Sequence, residues 1–231
     1  MTYHIMHDNK IVAQIDTQGY CHIFSKKFMP YNLYLDETDN GPLNNLSNFY
    51  FWCTSRILLA NRQHKDVILK SLNLTSKKSA QIALLCHCLS LTDVYWVRTS
   101  NESITFQGIN LYDNHSENPL IDASLLGKQI TMPSLKAIKG AIKDLSTDGC
   151  FPKAWFGNTL LKGGNPIAVR NEILASKICQ CFQCNQVIYE EDKYKGELVS
   201  ISNLFTSKEY SIASKEAFDI YAVNHDIDPI E

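Results

Sequence analysis

Lys162 closes the short apolar run TLLK, and Glu172 lies in the strongly helical segment that follows it. A strand followed by a helix packed on it would bring this cation and anion together. Upstream, STDGCFPKAW (146–155) places a turn-forming Ser-Thr-Asp-Gly run before Pro152, Lys153 and Trp155. Clamping a nucleotide calls for this order: loop N–H groups facing phosphate oxygens, a cation to neutralise them, and an anion to hold the cation. Each residue also has a plainer reading. Asp148-Gly149 suits a hairpin tip, Lys162 a strand end at the surface, and a single glycine is weaker than the two or three of richer phosphate loops. Lys153 just past the turn and Lys162 one strand later favour the cradle. Ser146 and Thr147 could donate to phosphate oxygens or themselves be phosphorylated. An interior lysine is costly to desolvate unpaired, so Lys162 and Glu172 stand or fall together.

The surrounding pattern predicts the elements that would hold these residues. Trp155–Phe156 and Thr159–Lys162 read as a hairpin around Gly157-Asn158, a pair suited to a tight turn. Residues 168–182 read as a helix with a broad buried face at Val169, Ile173, Leu174, Ile178, Cys181 and Phe182, and with Glu172 at its edge. Val187–Tyr189 and Glu197–Ile201 read as two more strands, and the region from 136 onward as strand-rich.

Residues 1–35 alternate apolar and polar in IVAQID, YCHIF and YNLYL, with a break at Gly19, which predicts a small antiparallel sheet. Residues 36–45 read as loop. A helix capped by Ser47 is expected through FYFWCTSRILLANR, with further helical pieces at Gln63–Leu72 and Ser79–Leu89. Tyr95–Arg98 and Ile104–Phe106 read as strands, and 107–135 as a loop-rich seam. The expected fold class is α+β: an N-terminal module over 1–130, a small sheet with helices, then an antiparallel sheet with one packed helix over 131–231.

The composition narrows the classes. The chain has 231 residues, 45% of them apolar and 20% charged, ordinary for globular protein. A formal charge of −2 gives no bulk attraction to nucleic acid or anionic membrane. The N-terminus MTYHIMHDNK lacks a signal-peptide run, and AQIALLCHCLSL falls short of the roughly 18–20 apolar residues of a membrane span, so a cytoplasmic location is expected. Eight cysteines raise the question of zinc. Cys86 and Cys88 flank His87, and Cys179, Cys181 and Cys184 crowd one segment. These stretches read as helical and lack knuckle glycines, which favours buried thiols.

STDGCFPKAW, LLKGG and RNEILASKI, in this order, resemble the small lobe of the HipA-like serine/threonine kinases. Ser146, Gly149 and Lys153 match that family's loop in spacing, Lys162 its strand lysine, and Asn171-Glu172 its helix start. FMPYNLYL, FWCTSRILLANR and LSLTDVYWVR resemble a Gram-positive branch of HipA-like proteins, so the similarity covers most of the chain. The resemblance implies ATP and Mg as cofactors once a large lobe is supplied. It implies Lys162 on the phosphates, Glu172 holding it, and Ser202–Phe205, including Asn203 and Phe205, as the hinge whose backbone meets adenine. It also places Ser146 at the family's autophosphorylated loop serine. The family's catalytic aspartate, metal asparagine and second metal aspartate have no match: His225-Asp226 is the one candidate after the hinge, and five residues on stands Glu231.

Three functions are thus expected, in this order. The first is the N-terminal part of a HipA-like kinase, supplying its nucleotide-binding lobe and inactive alone, the large lobe lying elsewhere through a frameshift or gene splitting. The second is a regulatory module docking on a kinase or a toxin–antitoxin partner. The third is a DNA-associated protein of a mobile element. The last has only Lys65, Lys70, Lys77 and Lys78 on the paired helices around 63–89, which argues against direct nucleic-acid contact.

Overall fold

The computed structural model describes residues 1–57, 61–74, 79–114, 117–131, 141–147, 149–182 and 185–209. Asp148, Cys184, Lys77, Lys78, His225-Asp226 and Glu231 lie outside the described residues. In chain order the elements are β1 (Thr2–His7), β2 (Lys10–Asp16), β3 (Cys21–Ile23), α1 (Pro42–Ser55), α2 (Lys65–Ser71), α3 (Ser79–Leu85), β4 (Tyr95–Thr99), α4 (Phe106–Ile109) and α5 (Ile121–Leu126). Residues 141–145 are helical (α6). After them come β5 (Lys153–Phe156), β6 (Thr159–Lys162), α7 (Pro166–Cys181), β7 (Glu190–Tyr194) and β8 (Glu197–Asn203). The fold is α+β, with two four-stranded antiparallel sheets. The chain divides into two compact units, one drawn from Met1–Ile57, Ala80–Asn114 and Thr206–Glu231, the other from Leu58–Ser79 and His115–Phe205.

The first unit is built on a sheet of order β3-β2-β1-β4. Its strands bury Ile5, Val12, Ile15 and Val97, α1 buries Phe49 and Trp52, and the rings of Tyr3 and Phe49 lie 5.5 Å apart. The helix begins at Pro42, well before the expected Ser47 cap. Proline suits a first helical position, since its missing N–H costs nothing there. Buried Asn45 in that first turn ties down the preceding loop, donating to Gly19 O and Asp36 O and accepting from Asp36 N. YNLYL is not a strand: Leu33 and Leu35 are buried, but Tyr31 and Tyr34 face solvent. Its alternation therefore reflects a loop lying on the core. Ile104–Phe106 is no strand either; Phe106 opens α4, with Asn9 Oδ1 accepting from its backbone N–H at 2.9 Å.

The second unit carries a sheet of order β5-β6-β8-β7. β5 and β6 form the expected hairpin through Gly157-Asn158, Gly157 adopting φ +59. Leu161, Ala154 and Val199 pack with Leu125 on the α5 side of the sheet. The other side meets α7 through Val169 and Ile173. Helix α7 starts at Pro166, where Asn165 Oδ1 caps the Ile167 N–H. The described residues of 107–135 are largely loop, as expected, with α5 set among them. Two other expectations fail here. The described residues after 136 begin with helix α6, not a strand. Val187–Tyr189 precedes β7 and is not part of it, because its hydrogen bonds go to Ser176: Val187 O accepts from the hydroxyl and Tyr189 N–H donates to it.

Candidate functional site

The Lys162 ammonium, at the end of β6, donates to Glu172 Oε1 at 2.8 Å and to the Tyr189 hydroxyl at 2.8 Å. Glu172 reaches it from α7, and its second oxygen accepts from Ser200 Oγ at 2.7 Å. Ser200 is the β8 residue paired with Lys162, so sheet register fixes two of these groups. An ammonium has three donor positions, and Glu172 and Tyr189 take two. Burial alone would lower the Lys162 pKa, but the hydrogen bonds to Glu172 and Tyr189 more than reverse this and hold it above the ordinary lysine value. The amine is therefore a fixed positive charge at neutral pH.

Lys153 pairs with Lys162 across the hairpin and is itself buried. Its ammonium lies against Gly149: a Cβ at 149 would stand 2.3 Å from Nζ, and Gly149 has φ +100. The positive φ is what favours glycine there, since Nζ is the mobile end of a long side chain. Ser146 and Thr147 are differently placed. Both hydroxyls donate to Lys143 O, at 3.2 and 2.6 Å, and so terminate α6. Thr147 Oγ1 also accepts from Trp155 Nε1 at 2.7 Å. Asn203 pairs with Thr159, at the opposite end of β6 from Lys162, roughly 10 Å along the strand. Phe205 follows it and is half exposed.

Sequence reading missed Arg62, which organises this region. Its buried guanidinium donates to Asp144 O, to Thr147 O at 3.2 Å and to Lys153 O at 2.8 Å, so one side chain holds both ends of the 146–153 loop. Beside it the buried Asp144 carboxylate accepts from Trp155 N–H and Ser124 Oγ, each at 2.8 Å. Burial pushes the Asp144 carboxyl above its usual range, against the pull of Arg62 and its hydrogen-bond donors. No local pattern announces Arg62, because its three acceptors lie more than eighty residues away in sequence.

Lys143 stands next to this hub, its ammonium 4.9 Å from the centre of the Trp155 ring and donating to Gly157 O and Asn158 Oδ1. Burial lowers its pKa to about 8, opposed by Asp144. Between about 8 and the ordinary 10.5 the unfolded chain keeps a proton that the folded chain has released, so stability from this group rises with pH across that window and is lost as pH falls through it. Competitive acetylation across pH 7–10, read by peptide mass spectrometry, should show Lys143 half-reactive near 8. A Lys143 profile with no midpoint below pH 10 would contradict this.

The cysteines divide differently from expectation. Cys86 and Cys88 are buried but lie beyond α3, in a turn where His87 and Cys88 have φ +52 and +50. Cys181 lies on α7 and is exposed. Among the described residues no three His, Cys, Asp or Glu side chains converge as metal ligands, and no helix is long and apolar enough to cross a membrane. Neither the known protein families nor the curated proteins include one that matches this chain.

Proposed function

We propose that the second unit is the nucleotide-binding lobe of a HipA-like serine/threonine protein kinase, clamping Mg-ATP against a large lobe that carries the catalytic and metal-binding acids. The observation that carries this reading is the Lys162–Glu172 ion pair at 2.8 Å, a strand lysine met by a helix glutamate. Protein kinases require such a pair on the strand and helix that flank their phosphate site. The element order supports it: loop-bearing hairpin, lysine strand, glutamate helix, then two strands with the last beside the lysine strand. With two of its three donor positions taken, the Lys162 ammonium has one left for a phosphate oxygen. Gly149 and Lys153 supply the loop side of the cradle, and the backbone of Ser202–Phe205, from the end of β8 onward, is the adenine contact.

Binding of Mg-ATP to the chain, followed by calorimetry or by displacement of a fluorescent ATP analogue, tests the reading. One wall of a cleft should bind weakly and saturably, and Lys162→Ala should abolish binding while leaving the circular dichroism unchanged. Binding that survives Lys162→Ala, or its complete absence in the wild type, would count against the proposal.

A further inference from the structure

The outward face of α7 is apolar where a surface helix should be polar. Ile167, Leu174, Ile178 and Phe182 are 65%, 55%, 49% and 76% exposed, and Cys181 is exposed among them. The sequence pattern predicts all but Ile167 of these as core. The sheet instead takes Val169, Ile173 and Ser176, leaving a second stripe unpartnered. Ile167, Leu174 and Cys181 recur every seven residues, with Asn171 and Ile178 offset between them. This is the seam that a helix presents to another helix. A single surface leucine is unremarkable, but a row of about four turns that is apolar but for Asn171 marks a contact surface.

The charges beside the row decide what covers it. Arg170 and Lys177, seven residues apart and both exposed, line one border, while Ala168 and Ala175 line the other. Glu172 is the one acid of α7, and it is turned inward onto Lys162 and Ser200. A second copy of this helix therefore brings no carboxylate to answer the two cations. We infer that the exposed face of α7 docks an amphipathic helix of a partner protein, with leucine-like residues in its seam and acidic residues along one flank. The apolar row supplies the affinity, and the Arg170–Lys177 border sets orientation and partner choice. This surface does not rest on the nucleotide reading, and its test contains no nucleotide.

The probe is a fluorescein-labelled synthetic helical peptide with Leu and Ile at seam positions and Glu on the flanks, titrated with the full chain and followed by anisotropy. A twin peptide with Lys on the flanks is the control. The Glu peptide should bind saturably and more weakly as salt rises, and the Lys peptide should bind at least roughly tenfold less tightly. Leu174→Glu or Ile178→Glu should weaken the Glu peptide by a similar factor. Should either fail to fold, Arg170→Glu with Lys177→Glu carries the test: these exposed changes should transfer preference to the Lys peptide. Absence of saturable binding, equal binding of both peptides, or an unchanged preference after the charge reversal would overturn the inference. So would sedimentation showing a wild-type dimer that Leu174→Glu dissolves, since the face then belongs to a second copy.

Discussion

Arg62→Ala should destabilise the second unit by about 3–5 kcal/mol, the cost of leaving one side of a buried charged cluster without its partner. The guanidinium serves three backbone carbonyls at once and faces the buried Asp144 carboxylate, so its removal takes the charged donor from the buried carbonyls of Asp144 and Lys153 and from the part-buried one of Thr147. In urea this corresponds to a midpoint shift of roughly 2 M. Trp155 fluorescence is a suitable signal, since its indole N–H bonds Thr147 within the region that Arg62 holds. Lys in place of Arg should restore little, because a single ammonium cannot span carbonyls of residues 144, 147 and 153 in the fixed fork that a guanidinium provides. A midpoint within about 0.3 M of wild type would show that the loop is held by other means.

The first unit should respond in the same way to Arg56→Ala. That guanidinium donates twice to Asp93, at 2.8 and 2.6 Å, to Cys88 O at 2.6 Å and to Tyr95 O at 3.0 Å, and it stacks 4.8 Å from the centre of the Trp52 ring. The two side chains are unequally covered, Arg56 being 8% exposed and Asp93 26%. Asp93 also keeps its bond from Tyr95 N–H when Arg56 is lost. The expected cost therefore lies near the lower end of the buried-pair range, about 3 kcal/mol. Hydrogen exchange is the direct readout: amides of β4 should lose protection in Arg56→Ala while those of β6 and β8 keep theirs. Equal loss in both sheets, or none, would refute the assignment.

Elements that announce themselves through short-range chemistry were legible in the sequence. The β5–β6 hairpin follows from Gly157-Asn158, α7 from its apolar period, and the β1–β2 pairing from an apolar–polar alternation that a bulge at Ile5/Met6 interrupts. The Lys162–Glu172 pair was legible too, because strand and helix are consecutive and a buried lysine demands an anion. The α7 surface was not, since two apolar stripes on one helix read as a single broad face until the sheet takes one of them. The short helices α4 and α5 were missed because neither spans enough turns for a period to show. The arginine hubs were invisible for another reason: Arg56 and Arg62 gather partners from distant segments, and an isolated arginine in a sequence looks like any surface cation. Ser146 and Thr147 were visible as hydroxyls, but not the fact that α6 would recruit both as its terminus.

The order of strands in the second sheet has a consequence for synthesis on the ribosome. β6 lies between β5 and β8, yet β8 is the last of the four to be made. Until residue 203 has emerged, the nascent chain holds Leu160 and Leu161 on a strand with one bare edge, open to pairing with any extended segment nearby. Translation that stalls between β7 and β8 should therefore leave a sticky intermediate needing a chaperone, whereas a few more residues would let the unit close on itself.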